Sequence, residues 1–302
     1  MAVKRNTAVM VVLLQLVGTD VCAGADAHDR KFWLDLKQHD FAVPTGESVD
    51  RLASEAAQLF GSTDPELRDD VAYNAIATWV YRRELLDATE LISLEKQLMS
   101  GAQQRLGDSQ GDGLFLRSFS TLALSIVAAE DLKKPFLTAT QYSALVDLGC
   151  RQLERERDLR GYVRGKGWGH ATAHAADLLK FLARSPRLSV QQQTQIVDCV
   201  AARLRTAGQV FVWGEDARLA AALAALVQRD DADIRPFEVW FQRLALEYQC
   251  LWQGAFDTRR FVTARTQLNA LSELQSELDT EASSRKPMPV SIALRKLREA
   301  TR

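Results

Sequence analysis

The sequence predicts an all-α fold of about a dozen helices, on three observations. Nearly every segment places its apolar residues three or four positions apart, whereas almost no segment alternates as a strand does. Capping signatures precede several of these segments. Clusters of Gly, Pro and Asp separate them with short loops. The first segment with helical spacing carries Val49, Leu52, Ala53, Ala56, Leu59 and Phe60.

Helix starts are marked along the whole chain. Asp64-Pro65-Glu66 combines an N-cap residue, a proline at the first helical position and an acidic first turn. Successive amphipathic helices of similar length favour stacked helical hairpins, that is, a HEAT-like α-solenoid. Capping boxes are predicted at Thr138 with Gln141 and at Ser189 with Gln192. Further helices are predicted over residues 87–106, 114–129, 168–184, 215–229, 236–252, 258–279 and 289–300.

The N-terminus has the pattern of a secretory signal peptide. Lys4 and Arg5 precede an apolar run over residues 8–17, and Ala23-Gly24-Ala25 follows as a cleavage site. We therefore expect residues 1–25 to be removed and the protein to be periplasmic or secreted. The alternative is a cytoplasmic protein in which this segment is a first helix.

Composition and charge restrict the class of protein. No long linker divides residues 29–302, which we expect to form one α-helical domain. A hydrophobic content of 47% excludes a disordered chain. A net charge of -1, from 38 basic and 39 acidic residues, argues against nucleic-acid binding. Beyond the N-terminal run, we expect no stable transmembrane segment.

Three cysteines remain after signal cleavage, which is an odd number. Cys150, Cys199 and Cys250 all lie in apolar helical surroundings, where cysteine usually behaves as a small buried hydrophobic residue. An oxidising compartment would allow one disulfide, but the sequence does not choose the pair.

A glycine-rich segment over residues 158–180 stands out from the rest of the chain. On a helix, His170, His174 and Asp177 share one face, which borders an apolar stripe. The preceding loop crowds four glycines together with Arg160, Arg164, Lys166 and Trp168. Two other clusters could join this segment: Arg117-Ser118-Phe119-Ser120, and the run from Val210 to Arg218 with its acidic residues Glu215 and Asp216.

Three interpretations of this segment compete. In the first, His170, His174 and Asp177 bind a divalent metal, with Glu215 or Asp216 completing the site. In the second, free backbone N–H groups at the helix start bind an anion together with nearby basic side chains. In the third, the segment is structural, because its histidines hydrogen-bond across a helix interface and its cations pair with acidic residues. The cations are Arg160, Arg164 and Lys166, and the acidic partners considered are Glu154, Glu156, Asp158, Glu215 and Asp216.

Six stretches of the sequence, over about residues 55–230, carry a recognisable pattern. They are residues 64–69, 117–120, 158–163, 165–171 and 173–177, and Val210-Phe211 with residues 214–219. In order and spacing, they resemble the uncharacterised bacterial DUF2785 family. The resemblance implies an α-helical domain of unknown activity and supplies no catalytic residues.

Two functions are consistent with these observations. The first is a binding or scaffold protein that holds a protein, a peptide or a small anionic ligand around Arg160–Asp177, since helical solenoids offer concave binding surfaces. Candidate ligand-binding residues are Arg117, Arg160, Arg164, Lys166, Trp168, Glu215 and Asp216. The alternative is a metal-assisted hydrolase that uses His170, His174 and an acidic residue to hold a metal-bound water.

Overall fold

The structure, a computed structural model, describes residues 27–281 and 289–301. Within those residues the chain forms twelve α-helices and one two-stranded hairpin, which confirms the all-α prediction. The predicted signal peptide, residues 1–25, lies outside the described residues.

The helices follow one another through short connections. The first three are α1 (Arg30–Gln38), α2 (Val49–Leu59) and α3 (Tyr73–Ile76), and the next three are α4 (Ala88–Gln103), α5 (Gly113–Lys133) and α6 (Ala139–Arg155). Strands β1 (Tyr162–Val163) and β2 (Gly167–Trp168) form the hairpin. The remaining helices are α7 (Ala171–Ala183), α8 (Val190–Thr206), α9 (Glu215–Val227), α10 (Arg235–Gln249), α11 (Thr258–Glu281) and α12 (Pro289–Ala300).

Local signals in the sequence set several of these boundaries. Both predicted capping boxes are present, with the side chains of Thr138 and Ser189 accepting from the backbone N–H groups of Gln141 and Gln192. The segment around α3 differs from the expected regular helix, because residues 66–72 and 77–82 on either side of it are π-helical. The predicted helix over residues 168–184 begins only at Ala171, because Gly167 and Trp168 belong to strand β2.

The helices from α4 onward pack in two layers. Helices α5, α7, α9 and α11 lie side by side in that order. Against them pack α4 on α5, α6 on α7, and α8 on α6 and α11, while α10 and α12 pack together towards the C-terminal end. The hydrophobic core lies between the two layers, where the apolar faces of the helices in each layer are buried.

Helix α5 has an apolar surface on nearly all sides. By length and composition alone it could cross a membrane, but most of its apolar window is buried within the protein. A helix that is apolar all round is also what the centre of a large helical core requires.

Candidate functional site

The amino-terminal ends of α5, α7 and α9 meet at one edge of the molecule. The hydroxyl of Ser118, in the second turn of α5, donates to the carbonyl of Gly169, just before α7. His170, the N-cap residue of α7, donates from Nε2 to the carbonyl of Trp213, just before α9, at 2.9 Å. The structure therefore brings the clusters around residues 117–120 and 210–218 together with the glycine-rich segment.

The glycine-rich loop is a β-hairpin tied to its own base. Strand β1 pairs antiparallel with β2, and the N–H groups of Gly169 and His170 donate to the carbonyls of Gly161 and Arg160 at 2.7 and 3.0 Å. These bonds hold His170 in a left-handed conformation with φ 54°, which is uncommon for a residue with a side chain. The hairpin thus fixes where the histidine-bearing helix begins.

Two glycines of the hairpin differ in what surrounds them. Gly167 has a φ of +78°, and a Cβ atom there would lie 2.7 Å from Cβ of Pro65 and 2.9 Å from Nη2 of Arg68. Gly165 has a similar φ of +76°, but a Cβ atom there would meet nothing within 4 Å. Close packing against Pro65 and Arg68 accounts for the glycine at position 167.

Arg68 is the anchor beneath the hairpin, and sequence reasoning missed it. Its fully buried guanidinium donates to the carbonyl of Lys166 at 2.7 Å and lies over the ring of Phe115 at 4.1 Å. Its Nε lies 2.7 Å from Oδ1 of Asp69, close enough for an ion pair but not aligned as a hydrogen bond. Burial raises the pKa of Asp69, although the Arg68 charge opposes that shift. The only sequence signal was the stretch over residues 64–69, which contributed to the family resemblance.

His174 is a buried, neutral histidine. Because the Ser118 hydroxyl donates to Gly169, His174 is the donor from Nδ1 to the Ser118 oxygen, at 2.7 Å. The His174 ring also packs edge-on against Phe119. Burial, helped by the neighbouring His170 and Arg218, lowers the pKa of His174 to about 3. This hydrogen bond across the α5–α7 interface is what the structural interpretation expected.

Asp177 is held by cations rather than by the histidines. Its carboxylate is buried and forms ion pairs with Arg218 and with Lys180, the latter at 3.3 Å. Across residues 27–281 and 289–301, no group of three or more His, Cys, Asp or Glu side chains is placed to hold a metal ion. The structure therefore does not assemble the predicted metal ligands His170, His174 and Asp177, because each has a different partner.

Two of the predicted anion-binding cations are already neutralised. Arg160 forms an ion pair with the buried carboxylate of Asp158, with Nε 2.8 Å from Oδ1, as the structural interpretation allowed. Lys166 pairs with both oxygens of Asp112 at 2.7 and 2.9 Å, a partner that the sequence did not indicate. Arg164 is exposed at the hairpin turn and has no hydrogen bond or ion pair within the described part of the chain.

Arg117, which the sequence predicts as a ligand-binding residue, lies in a buried ion pair. Its side chain is 1% exposed and pairs with the carboxylate of Glu156, with Nε 2.6 Å from one oxygen and Nη2 3.1 Å from the other. Within the described residues, its guanidinium is therefore held inside the fold by Glu156.

The two predicted acidic residues bond to the backbone at the start of α9. Glu215 is buried and accepts from the N–H of Trp213 at 2.9 Å. Asp216 accepts from the N–H of Ala217 at 3.0 Å. Both complement the positive end of the helix dipole.

Exposed aromatic side chains cover the edge where the three helices begin. We call Tyr162, Trp168, Val212 and Trp213 the aromatic surface; their exposed fractions are 51%, 38%, 72% and 46%. The ring of Trp168 contacts those of Tyr162 and Trp213 edge-on, at 5.4 and 5.8 Å between centroids. It also stacks on His170 at 4.8 Å. Only Trp168 of these four was predicted as a site residue.

A groove runs beside the aromatic surface. It has a volume of about 490 Å³ and lies between the segment before β1 and the segment before α9. Arg157 and Arg160 line it together with Tyr162, Val212 and Trp213. The carbonyls of Arg160 and Gly161 in this wall already accept hydrogen bonds from the hairpin.

Comparison with known proteins identifies a family and no function. A family model described as a protein of unknown function, DUF2785, matches residues 103–282, which is more than half of the chain. That range contains the hairpin and the helices from α5 to α11. No curated protein and no solved structure matches the chain.

Proposed function

This chain belongs to the DUF2785 family, and since that family has no known function, we propose from the contacts of its own residues that it is a binding protein. The observation that carries the proposal is the aromatic surface, where the rings of Tyr162, Trp168 and Trp213 remain half-exposed. Large contiguous apolar patches are rare on monomeric proteins and often mark binding sites.

The aromatic surface has the composition of a binding hot spot. Tyr, Trp and Arg dominate the residues whose truncation weakens protein interfaces. A partner that covers the exposed part of one ring would gain roughly 1–3 kcal/mol from burial of apolar area. Two or three such rings are sufficient to anchor a peptide.

The rings are also held in place before any ligand arrives. Trp168 lies between Tyr162, Trp213 and His170, and His170 is in turn bonded to the Trp213 carbonyl. Because these contacts already restrict the side chains, binding costs less conformational entropy than it would on a mobile surface.

Charge around the aromatic surface favours an acidic partner. Arg160 and Lys166 are neutralised by aspartates, but Arg157 and Arg164 are exposed and have no ion pair among the described residues. Arg157 lines the groove, whereas Arg164 lies at the turn of the hairpin. Unpaired arginines attract carboxylates and can bind them with two parallel hydrogen bonds. We therefore propose that the ligand is an acidic peptide segment that carries an apolar or aromatic anchor side chain.

Selection of peptides on the full chain tests this proposal. A random peptide library displayed on phage should yield peptides that combine acidic with aromatic or apolar residues. Tyr162→Ala and Trp213→Ala should each weaken their binding by about tenfold or more, equivalent to about 1.4 kcal/mol.

The control is an exposed tryptophan elsewhere on the molecule. Trp252 is 60% exposed and its ring contacts those of Tyr248, Phe256 and Phe261, none of which belongs to the aromatic surface. Trp252→Ala should therefore leave peptide binding unchanged. Equal binding to parent, Trp213→Ala and Tyr162→Ala would contradict the proposal, as would a selection that enriches no peptide.

Two further proposals concern the setting of this surface. We propose that the helical layers form a HEAT-like stack, because α5, α7, α9 and α11 contact one another in sequence order. We also propose that the protein acts outside the cytoplasm after cleavage near Ala25, on the pattern of its first 25 residues alone.

A further inference from the structure

Two buried cysteines lie against each other between neighbouring helices. Cys150 is on α6 and Cys199 is on α8, and both thiols are almost completely buried. Their sulfur atoms are 2.6 Å apart, closer than two sulfurs in simple van der Waals contact. Cys250 is exposed after α10 and is not part of this pair.

We infer that Cys150 and Cys199 form an intramolecular disulfide that joins α6 to α8 when the chain folds in an oxidising environment. The two residues are 49 positions apart, so the bond would close a long loop of the unfolded chain. Closing such a loop restricts the unfolded state and thereby stabilises the fold. This inference does not depend on the proposed peptide ligand.

The oxidant is an external disulfide, R–S–S–R. A thiolate of the pair attacks one of its sulfurs and releases R–S⁻, leaving a mixed disulfide on the chain. The second thiolate then attacks the chain-bound sulfur, forms the Cys150–Cys199 bond and releases the second R–S⁻. The chain loses two electrons, the external disulfide gains them, and the two thiol protons pass to the released thiolates.

Burial determines when this reaction takes place. Burial, together with the adjacent Cys150, raises the pKa of the Cys199 thiol, so the folded, reduced protein holds little of the reactive thiolate. An external disulfide also has no open path to sulfurs packed between α6 and α8. We therefore expect oxidation during folding to be much faster than oxidation of the folded, reduced protein.

Thiol counting tests the inference on the full chain. The double variant Cys22→Ser with Cys250→Ser leaves Cys150 and Cys199 as its only cysteines. After it refolds with oxidised glutathione, denatured protein should contain no free thiol, whereas protein refolded with a reductant should contain both. Mapping without reduction should find the peptide of Cys150 linked to the peptide of Cys199, and oxidation should raise the melting temperature by several degrees.

Two comparisons keep the test decisive. The unsubstituted chain should lose the Cys150 and Cys199 thiols even though Cys22 and Cys250 are present. Cys199→Ala replaces a buried thiol with a small apolar side chain and should abolish the cross-link at Cys150 in protein that remains helical. If both thiols persist after oxidative refolding, or if Cys150 or Cys199 links to Cys250 instead, the inference is overturned.

Discussion

Burial keeps His174 neutral, and this makes the stability of the folded protein depend on pH. Its folded pKa of about 3 lies below the ordinary value of 6.5, so the unfolded chain binds more protons between these values. The contribution of neutral His174 to the free energy of unfolding is therefore fully present above pH 6.5. It is lost as the pH falls towards the folded pKa. Between about pH 7.5 and about pH 5, this histidine should remove on the order of 2 kcal/mol of unfolding free energy.

The variant His174→Asn isolates that contribution. Its side-chain amide can donate to the Ser118 oxygen as Nδ1 does, but it does not titrate. Urea unfolding at both pH values should show a smaller loss of stability on acidification for the variant than for the parent. An identical loss in the two proteins would mean that His174 is not the buried neutral base described above.

The ion-pair and hydrogen-bond partners of single side chains were predictable only where the two residues are close in sequence. Arg160 pairs with Asp158 two residues away, and this aspartate was among the predicted partners. Lys166 instead pairs with Asp112, which is 54 residues away, and no pattern in the sequence connects them. Helical spacing correctly placed His170 near His174, yet only the packing of α5 against α7 brings Ser118 to His174.

The β-hairpin is the element that positions the candidate site, and its stability rests on Gly167. In Gly167→Ala, a Cβ atom would overlap Pro65 and Arg68 and would also occupy a left-handed backbone conformation. The left-handed conformation costs about 1–2 kcal/mol, and the overlap adds roughly 1–3 kcal/mol. Urea unfolding should therefore show a loss of roughly 2–5 kcal/mol.

Gly165→Ala is the matched control within the same hairpin. Position 165 has nearly the same positive φ, but a Cβ atom there meets no neighbouring atom. The variant should therefore lose only the free energy of the left-handed backbone conformation, about 1–2 kcal/mol. Equal losses in the two variants would show that the hairpin does not pack against Pro65 and Arg68 as the structure has it.

Elements with local signals were predictable, and elements held by distant contacts were not. The capping boxes at Thr138 and Ser189 are set within one turn of helix, and both were predicted. The hairpin has strands of only two residues, too short for an alternating pattern to be recognised. The sequence also does not reveal that Arg68 lies beneath the hairpin.

The order of helix packing gives the whole molecule a centre and two ends. Helix α7 packs between α5 and α9 and rests on α6, and the candidate site is built at its start. The aromatic surface therefore adjoins a helix that packs against three others, α5, α6 and α9. Binding of the proposed peptide there would need little rearrangement of the helices, because the ring contacts of Trp168 are already formed.

A stack of this kind should not unfold as one uniform unit. In a HEAT-like arrangement, each helix is stabilised mainly by its neighbours, so a terminal helix opens more readily than a central one. Amide hydrogen exchange of the full chain, followed by mass spectrometry, should find α7 among the most protected helices. Helix α12, which packs mainly against α10 and α11, should exchange roughly 100-fold faster or more, equivalent to about 3 kcal/mol less opening free energy. Equal protection of α7 and α12 would instead indicate a single cooperative unit, and the HEAT-like proposal would then lose its energetic basis.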